Sequence, residues 1–151
     1  MKNIITLSLC LLAGVVGVKA QDNKPTATQQ KAIAALIDHY SGAREKSDTV
    51  LLKTILTKDI DQLVSTGEWR TGIGAAIEGM LKSSTNSPGT RTLTIDKIRM
   101  LDANCAIVDC RYEIGNNDNT TRKMWSSFTV VADKEVWKIS AIRNMLPAGN
   151  K

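Results

Sequence analysis

Val136-Trp137-Lys138-Ile139-Ser140-Ala141-Ile142 alternates with the period of a pleated strand, and Trp137 and Ile139 share one parity and read as core. It closes a series. Three further strand-like runs precede it, near residues 90–101, 105–114 and 120–133, and the last strand is expected over residues 135–146. Short polar turns join them: Asp102-Ala103-Asn104, residues 115–119 and Asp133-Lys134. Such connections are too short for parallel crossovers, so these strands are expected to form an antiparallel sheet.

Within the first run Leu93 and Ile95 share one parity, whereas Ile98 and Met100 share the other. A bulge near Asp96-Lys97 would return both pairs to the core. In the second, Ala106, Val108, Cys110, Tyr112 and Ile114 make an apolar face opposite Cys105, Asp109, Arg111 and Glu113. In the third, Met124, Ser126, Phe128 and Val130 point inward, leaving Trp125 and Ser127 on the outer face. An exposed tryptophan on a sheet face is a typical interface anchor.

Upstream of Asn86-Ser87-Pro88-Gly89, strong turn chemistry, the pattern becomes helical. Ile33, Leu36, Ile37 and Tyr40 fall at helical spacing, which predicts a helix over residues 28–44. Ser47-Asp48 offers caps to a shorter helix whose apolar side would be Val50, Leu51, Ile55 and Leu56. Residues 62–65 and 68–70 are expected to pair as a short hairpin around Thr66-Gly67. Thr71 would then cap a third helix with the buried stripe Ile73, Ile77, Met80 and Leu81. The predicted architecture is α+β: three N-terminal helices on a curved antiparallel sheet of four long strands plus a short hairpin.

Residues 1–20 carry Lys2, an apolar run from Ile4 to Val18 and small residues around a cleavage point after Ala20, which reads as a secretory signal. At roughly 15 residues the run is shorter than the about 20 that span a bilayer. The expectation is an exported protein, periplasmic or extracellular, without membrane insertion once the signal is removed. Residues 21–30 read as a flexible lead-in, residues 31–147 as one domain and residues 148–151 as a tail. Without Lys2 and Lys19 the formal charge falls from +5 to +3, with the basic residues scattered, so no nucleic-acid partner is expected. Cys105 and Cys110 sit five apart on one predicted strand, about 16 Å at about 3.3 Å per residue, too far for a bridge.

In order and spacing the chain resembles the nuclear transport factor 2-like superfamily, in its SnoaL-like and ketosteroid-isomerase-like branch, from Ala32 to Leu146. The resemblance is carried by the Tyr40 to Asp48 spacing, by Gly67 followed by Gly72-Ile73-Gly74-Ala75-Ala76-Ile77, and by Trp137-Lys138-Ile139. It implies a cone-shaped domain, a pocket between sheet and helices, and dimerisation through the outer sheet face. The isomerase branch uses a tyrosine on the first helix, an aspartate base and a neutral aspartic acid. Tyr40 matches the tyrosine, but Val64 falls at the base position and Ser126 at the acid position. Such catalysis needs a titratable group in reach.

The resulting expectation is a homodimer that binds a small, mostly apolar molecule without turning it over. The pocket would be lined by Tyr40, Val64, Trp69, Cys110, Tyr112, Ser126 and Phe128, and the interface built from Trp125, Ser127 and Arg111. No cofactor is expected, and no ligand spacing for a metal occurs. One alternative is an isomerase- or hydrolase-type enzyme pairing Tyr40 with Asp38, His39 or Asp61. The other is a structural dimerisation module whose pocket is filled by its own side chains.

Overall fold

A computed structural model of the chain describes residues 24–86, 89–116 and 119–149. The expected signal segment and residues 21–23, 87–88, 117–118 and 150–151 lie outside them. The elements are α1 (Ala27–Glu45), α2 (Thr49–Ile55), β1 (Leu56–Leu63), β2 (Trp69–Thr71), α3 (Ile73–Asn86), β3 (Thr90–Asp102), β4 (Cys105–Gly115), β5 (Thr121–Asp133) and β6 (Val136–Met145).

α1 starts earlier than its apolar period suggests. Thr26 is the N-cap of a capping box: its hydroxyl accepts from the Gln29 amide at 3.2 Å, and Gln29 Oε1 accepts from the Thr26 amide at 2.9 Å. The expected lead-in therefore ends by Pro25 instead of reaching residue 30. α1 buries Ile33, Leu36, Ile37 and Tyr40 as the spacing requires, and continues the same stripe through Ala43 to Arg44. Asp48 caps α2 by accepting from the Leu51 amide at 2.9 Å. Val50, expected on the apolar side of α2, is 73% exposed, and Leu52 is buried in its place.

The sheet has six strands in the order β2-β1-β6-β5-β4-β3 and is mixed, not wholly antiparallel. β1 runs parallel to β6, pairing Gln62 with Ile142 and Leu63 with Arg143. The rule that short turns exclude parallel pairing holds for β3 to β6, but β1 and β6 are far apart in sequence and free of it. The expected short hairpin is thus the end of an eight-residue strand meeting β2. Leu56, expected in the second helix, is the first residue of that strand. β1 meets β6 with a register shift between Leu56 and Asp61, and its polar stretch Thr57-Lys58-Asp59 hides it from a periodicity reading.

The bulge expected at Asp96-Lys97 is present as a register shift between Ile95 and Lys97 against β4. It leaves Leu93, Ile95 and Ile98 packed against the core and Met100 buried. The helices cover one face of the curved sheet, α1 against β3 and β6, α3 against β1 and β2. The fully buried centre holds Phe128, Ile33, Ile37, Leu52, Ile60, Met80, Ile139 and Ile142. Tyr112, Ile114 and Met124 form a second small cluster, and Leu93 packs against both groups.

Candidate functional site

Pleating decides which strand residues can reach the space under the helices. Across the sheet, Cys110, Ser126 and Asn144 are register partners in one row, and Tyr112 and Met124 in the next. α1 brings Tyr40 and, one turn on, Arg44 over these rows. Tyr40 meets Phe128 edge-on, with centroids 5.4 Å apart and rings at 74°.

These residues surround a crevice of only about 10 Å³, lined by Tyr40, Arg44, Leu93, Tyr112, Ser126, Phe128 and Asn144 among others. That is room for about one water. Ser126 donates to Asn144 Oδ1 at 2.6 Å, so its hydroxyl proton is already engaged. Arg44 lines the crevice beside them. Its Nη1 donates to the hydroxyls of Tyr40 and Tyr112 and its Nη2 to the Met80 carbonyl, each at 3.5 Å. Its Nε is buried without an acceptor. Burial acts to lower the Arg44 pKa, but the two phenols act the other way and the net direction is upward, so the cation persists. Burial is also the main reason the Tyr40 phenol is held above its ordinary value, with Arg44 opposing it.

Next to the crevice, and sharing Arg44, Tyr112 and Asn144 with it, lies a groove of about 280 Å³. One wall is the β1–β2 hairpin, with Gln62, Val64, Ser65, Thr66, Glu68 and Arg70. α3 supplies Gly79, Lys82, Ser83 and Asn86, and the sheet supplies Ile114, Arg122 and Met124. Arg70 donates from Nε to Glu68 Oε1 at 2.8 Å and from Nη1 to Gln62 Oε1 at 3.5 Å. Arg122 donates to Ser65 Oγ at 3.0 Å, joining β5 to the hairpin loop.

Of the residues read from sequence as pocket lining, Tyr40, Tyr112, Ser126 and Phe128 come together at the crevice, and Val64 lines the groove. Cys110 is fully buried beneath them, and its thiol is pushed up to about 12, first by burial and then by Asp109 and Asp96. Trp69 does not join them. It sits on the opposite face of β2 from Arg70, 56% exposed, with the Arg143 guanidinium 4.8 Å from its ring centre. Arg143 holds Asp61 through both carboxylate oxygens, Nη2 at 2.9 and 3.0 Å, on that same side. Asp38 and His39 are exposed on α1. Trp125 is 39% exposed on the outer face, near Ser127, which donates to Asp109, and Arg111, which pairs with Asp96.

Arg44, Gln62, Arg70, Gly79 and Asn144 are site residues the sequence reading passed over. Arg44 carried a signal, since it continues the apolar stripe of α1 one turn beyond Tyr40. Among the described lining residues of the groove the single carboxylate is Glu68, and its hydrogen bond and charge contact with Arg70 pull its pKa down. No group of three or more His, Cys, Asp or Glu side chains among the described residues is placed to hold a metal.

No protein-family model matches the chain, and no curated protein matches it. Solved structures do. A protein of unknown function with a cystatin-like fold from Nostoc punctiforme superposes with a TM-score of 0.73 at 16% identity, over 83% of this chain and 82% of that one. An NTF2-like protein of unknown function from Pseudomonas putida gives 0.70 at 12% identity, over 85% and 93%. A third, from Shewanella oneidensis, also NTF2-like and of unknown function, gives 0.62 at 20% identity, over 77% and 98%. The chain has the nuclear transport factor 2-like fold.

Proposed function

From this fold we propose that the chain is an exported, non-catalytic binding protein that holds a small molecule in the groove between the hairpin, α3 and the end of the sheet. The observation that carries the reading is the composition of that groove. It offers about 280 Å³ of space walled by hydrogen-bonding groups and by Val64, Tyr112, Ile114 and Met124, and its single described carboxylate is tied to Arg70. Small-molecule sites commonly combine apolar walls with a few fixed polar points. Proton-transfer chemistry would need a free acid or base within reach, and Asp38, His39 and Asp61 all lie elsewhere. The chain is further proposed to act as a homodimer through the outer sheet face, where Trp125 and its register partner Met145 are both exposed.

One observation favours a second reading. The crevice beside Tyr40 is nearly filled by the protein's own side chains, as a purely structural dimerisation module would require. Native mass spectrometry of the protein purified gently from its exported fraction separates the two. A dimer carrying a discrete extra mass, lost in a Val64→Trp variant that plugs the groove, supports binding. A clean dimer mass that persists after incubation with host extract overturns it in favour of the module.

A further inference from the structure

A buried arginine with no acid beside it among the described residues is the feature that small-molecule binding alone leaves unexplained. Arg44 is 7% exposed, its three donated hydrogen bonds all lie at 3.5 Å, and its Nε has no acceptor. The ion pairs formed among the described residues use Arg70, Arg111, Lys123 and Arg143, not Arg44. The groups it faces are two phenols and a carbonyl, none of them a carboxylate. Desolvating a guanidinium without a counter-charge is costly, and the attraction of an anion for it is correspondingly large.

Arg44 and Tyr112 border both the crevice and the groove, so a ligand in the groove meets them directly. Both phenols accept from Arg44, and the hydroxyl of Tyr112, which borders the groove, carries a proton it can donate to a ligand there. Nearer the mouth, Lys82 and Arg122 add positive charge, while Glu68 is occupied by Arg70. We infer that the groove takes a small organic carboxylate, its anionic end seated against Arg44 and Tyr112 and its apolar body against Val64, Ile114 and Met124. This rests on the binding reading above and names the class of ligand. One buried cation balances one negative charge, and a planar guanidinium matches a planar carboxylate through paired hydrogen bonds. The space, about 280 Å³, falls just below the range of ligand sites, which run from about 300 Å³ upward, so the ligand is a small one.

The test is a set of matched probes, benzoate, hexanoate and indole-3-acetate, each beside its neutral primary amide, titrated into the protein and followed by amide and arginine Nε signals in NMR. The expected result is that acids bind at least about tenfold more tightly than their amides, with shifts at Arg44, Tyr112 and Val64. Arg44→Met should erase the preference for the acid, and Arg44→Lys should keep charge attraction but lose part of the affinity. If either variant fails to fold, the acid-to-amide ratio and the Arg44 Nε shift in the unaltered protein still decide. Acids and amides binding equally well in the groove would overturn the carboxylate inference and leave the binding reading standing. Neither set perturbing the groove would overturn both.

Discussion

The Arg70 side chain lies across Gly79 so closely that a β-carbon at position 79 would collide with its Cδ, Nε and Cζ atoms. Glycine inside a helix costs about 1 kcal/mol relative to alanine, so its place in the middle of α3 needs a reason. Here the bare backbone lets a guanidinium reach the groove wall, where it holds Glu68 and Gln62.

Gly79→Ala should therefore separate stability from site geometry. The gain in helix propensity, about 1 kcal/mol, offsets the displacement of a flexible side chain, so the melting temperature should move by only a few degrees. The Arg70 Nε signal should lose its hydrogen-bonded shift, and groove affinity should fall. An unchanged Arg70 signal would mean that the close approach does not constrain that arginine.

Cys110 should be chemically silent in the native protein. With its thiol raised to about 12, the reactive thiolate is nearly absent at neutral pH, so alkylating agents should label it only after unfolding. The sign of the pH effect follows. Between its ordinary 9.0 and about 12 the unfolded chain has lost this proton and the native chain has not, so stability falls as pH rises, at up to about 1.4 kcal/mol per pH unit from this group. Below pH 9.0 that contribution is fully present. Denaturant titrations from pH 8 to 11 on the parent and Cys110→Ala should give a shallower alkaline slope in the variant.

The β5–β6 turn is a place to add stability. Lys134 and Glu135 both have positive φ, at 51° and 68°, between the paired residues Asp133 and Val136. A two-residue hairpin turn of that shape prefers Asn-Gly. The double substitution Lys134→Asn and Glu135→Gly should stabilise the fold by about 1–2 kcal/mol in urea denaturation, because left-handed backbone costs ordinary residues about 1–2 kcal/mol each.

Asp61→Asn tests whether the outer cluster of Asp61, Arg143 and Trp69 takes part in binding. The pair is about one-third exposed, 34% and 37%, so its loss should cost no more than about 1 kcal/mol. Groove affinity should be unchanged, since Asp61 lies on the opposite face of β1 from Gln62. A large loss of affinity would place this cluster in the site.

Trp125→Glu should turn a dimer into a monomer in sedimentation velocity without changing the far-ultraviolet circular dichroism. Trp125, Met145 and Leu146 are exposed large apolar residues, and Trp125 and Met145 are register partners, so a charge there would be buried at the proposed interface. A variant that stays dimeric would exclude this face.

Period-two alternation in β4 and β5, the bulge demanded by the split parities of β3, and the 3.6-residue stripe of α1 were all legible in the chain, because burial on one face writes itself into spacing. Asp48 at the start of α2 was legible too, because capping is a local hydrogen bond. The β1–β6 pairing was not. A parallel contact between strands near opposite ends of the domain leaves no local period, and the polar stretch Thr57-Lys58-Asp59 masks the strand itself. Nor could spacing reveal which face of the three-residue β2, that of Trp69 or that of Arg70, turns toward the groove, because its neighbour fixes the register. The decisive site feature, a charged Arg44 beneath two tyrosines brought in by α1 and β4, arises where helix and sheet close over each other. Sequence placed each residue on its element; only packing in three dimensions decided that Arg44 would be desolvated with no acid beside it among the described residues.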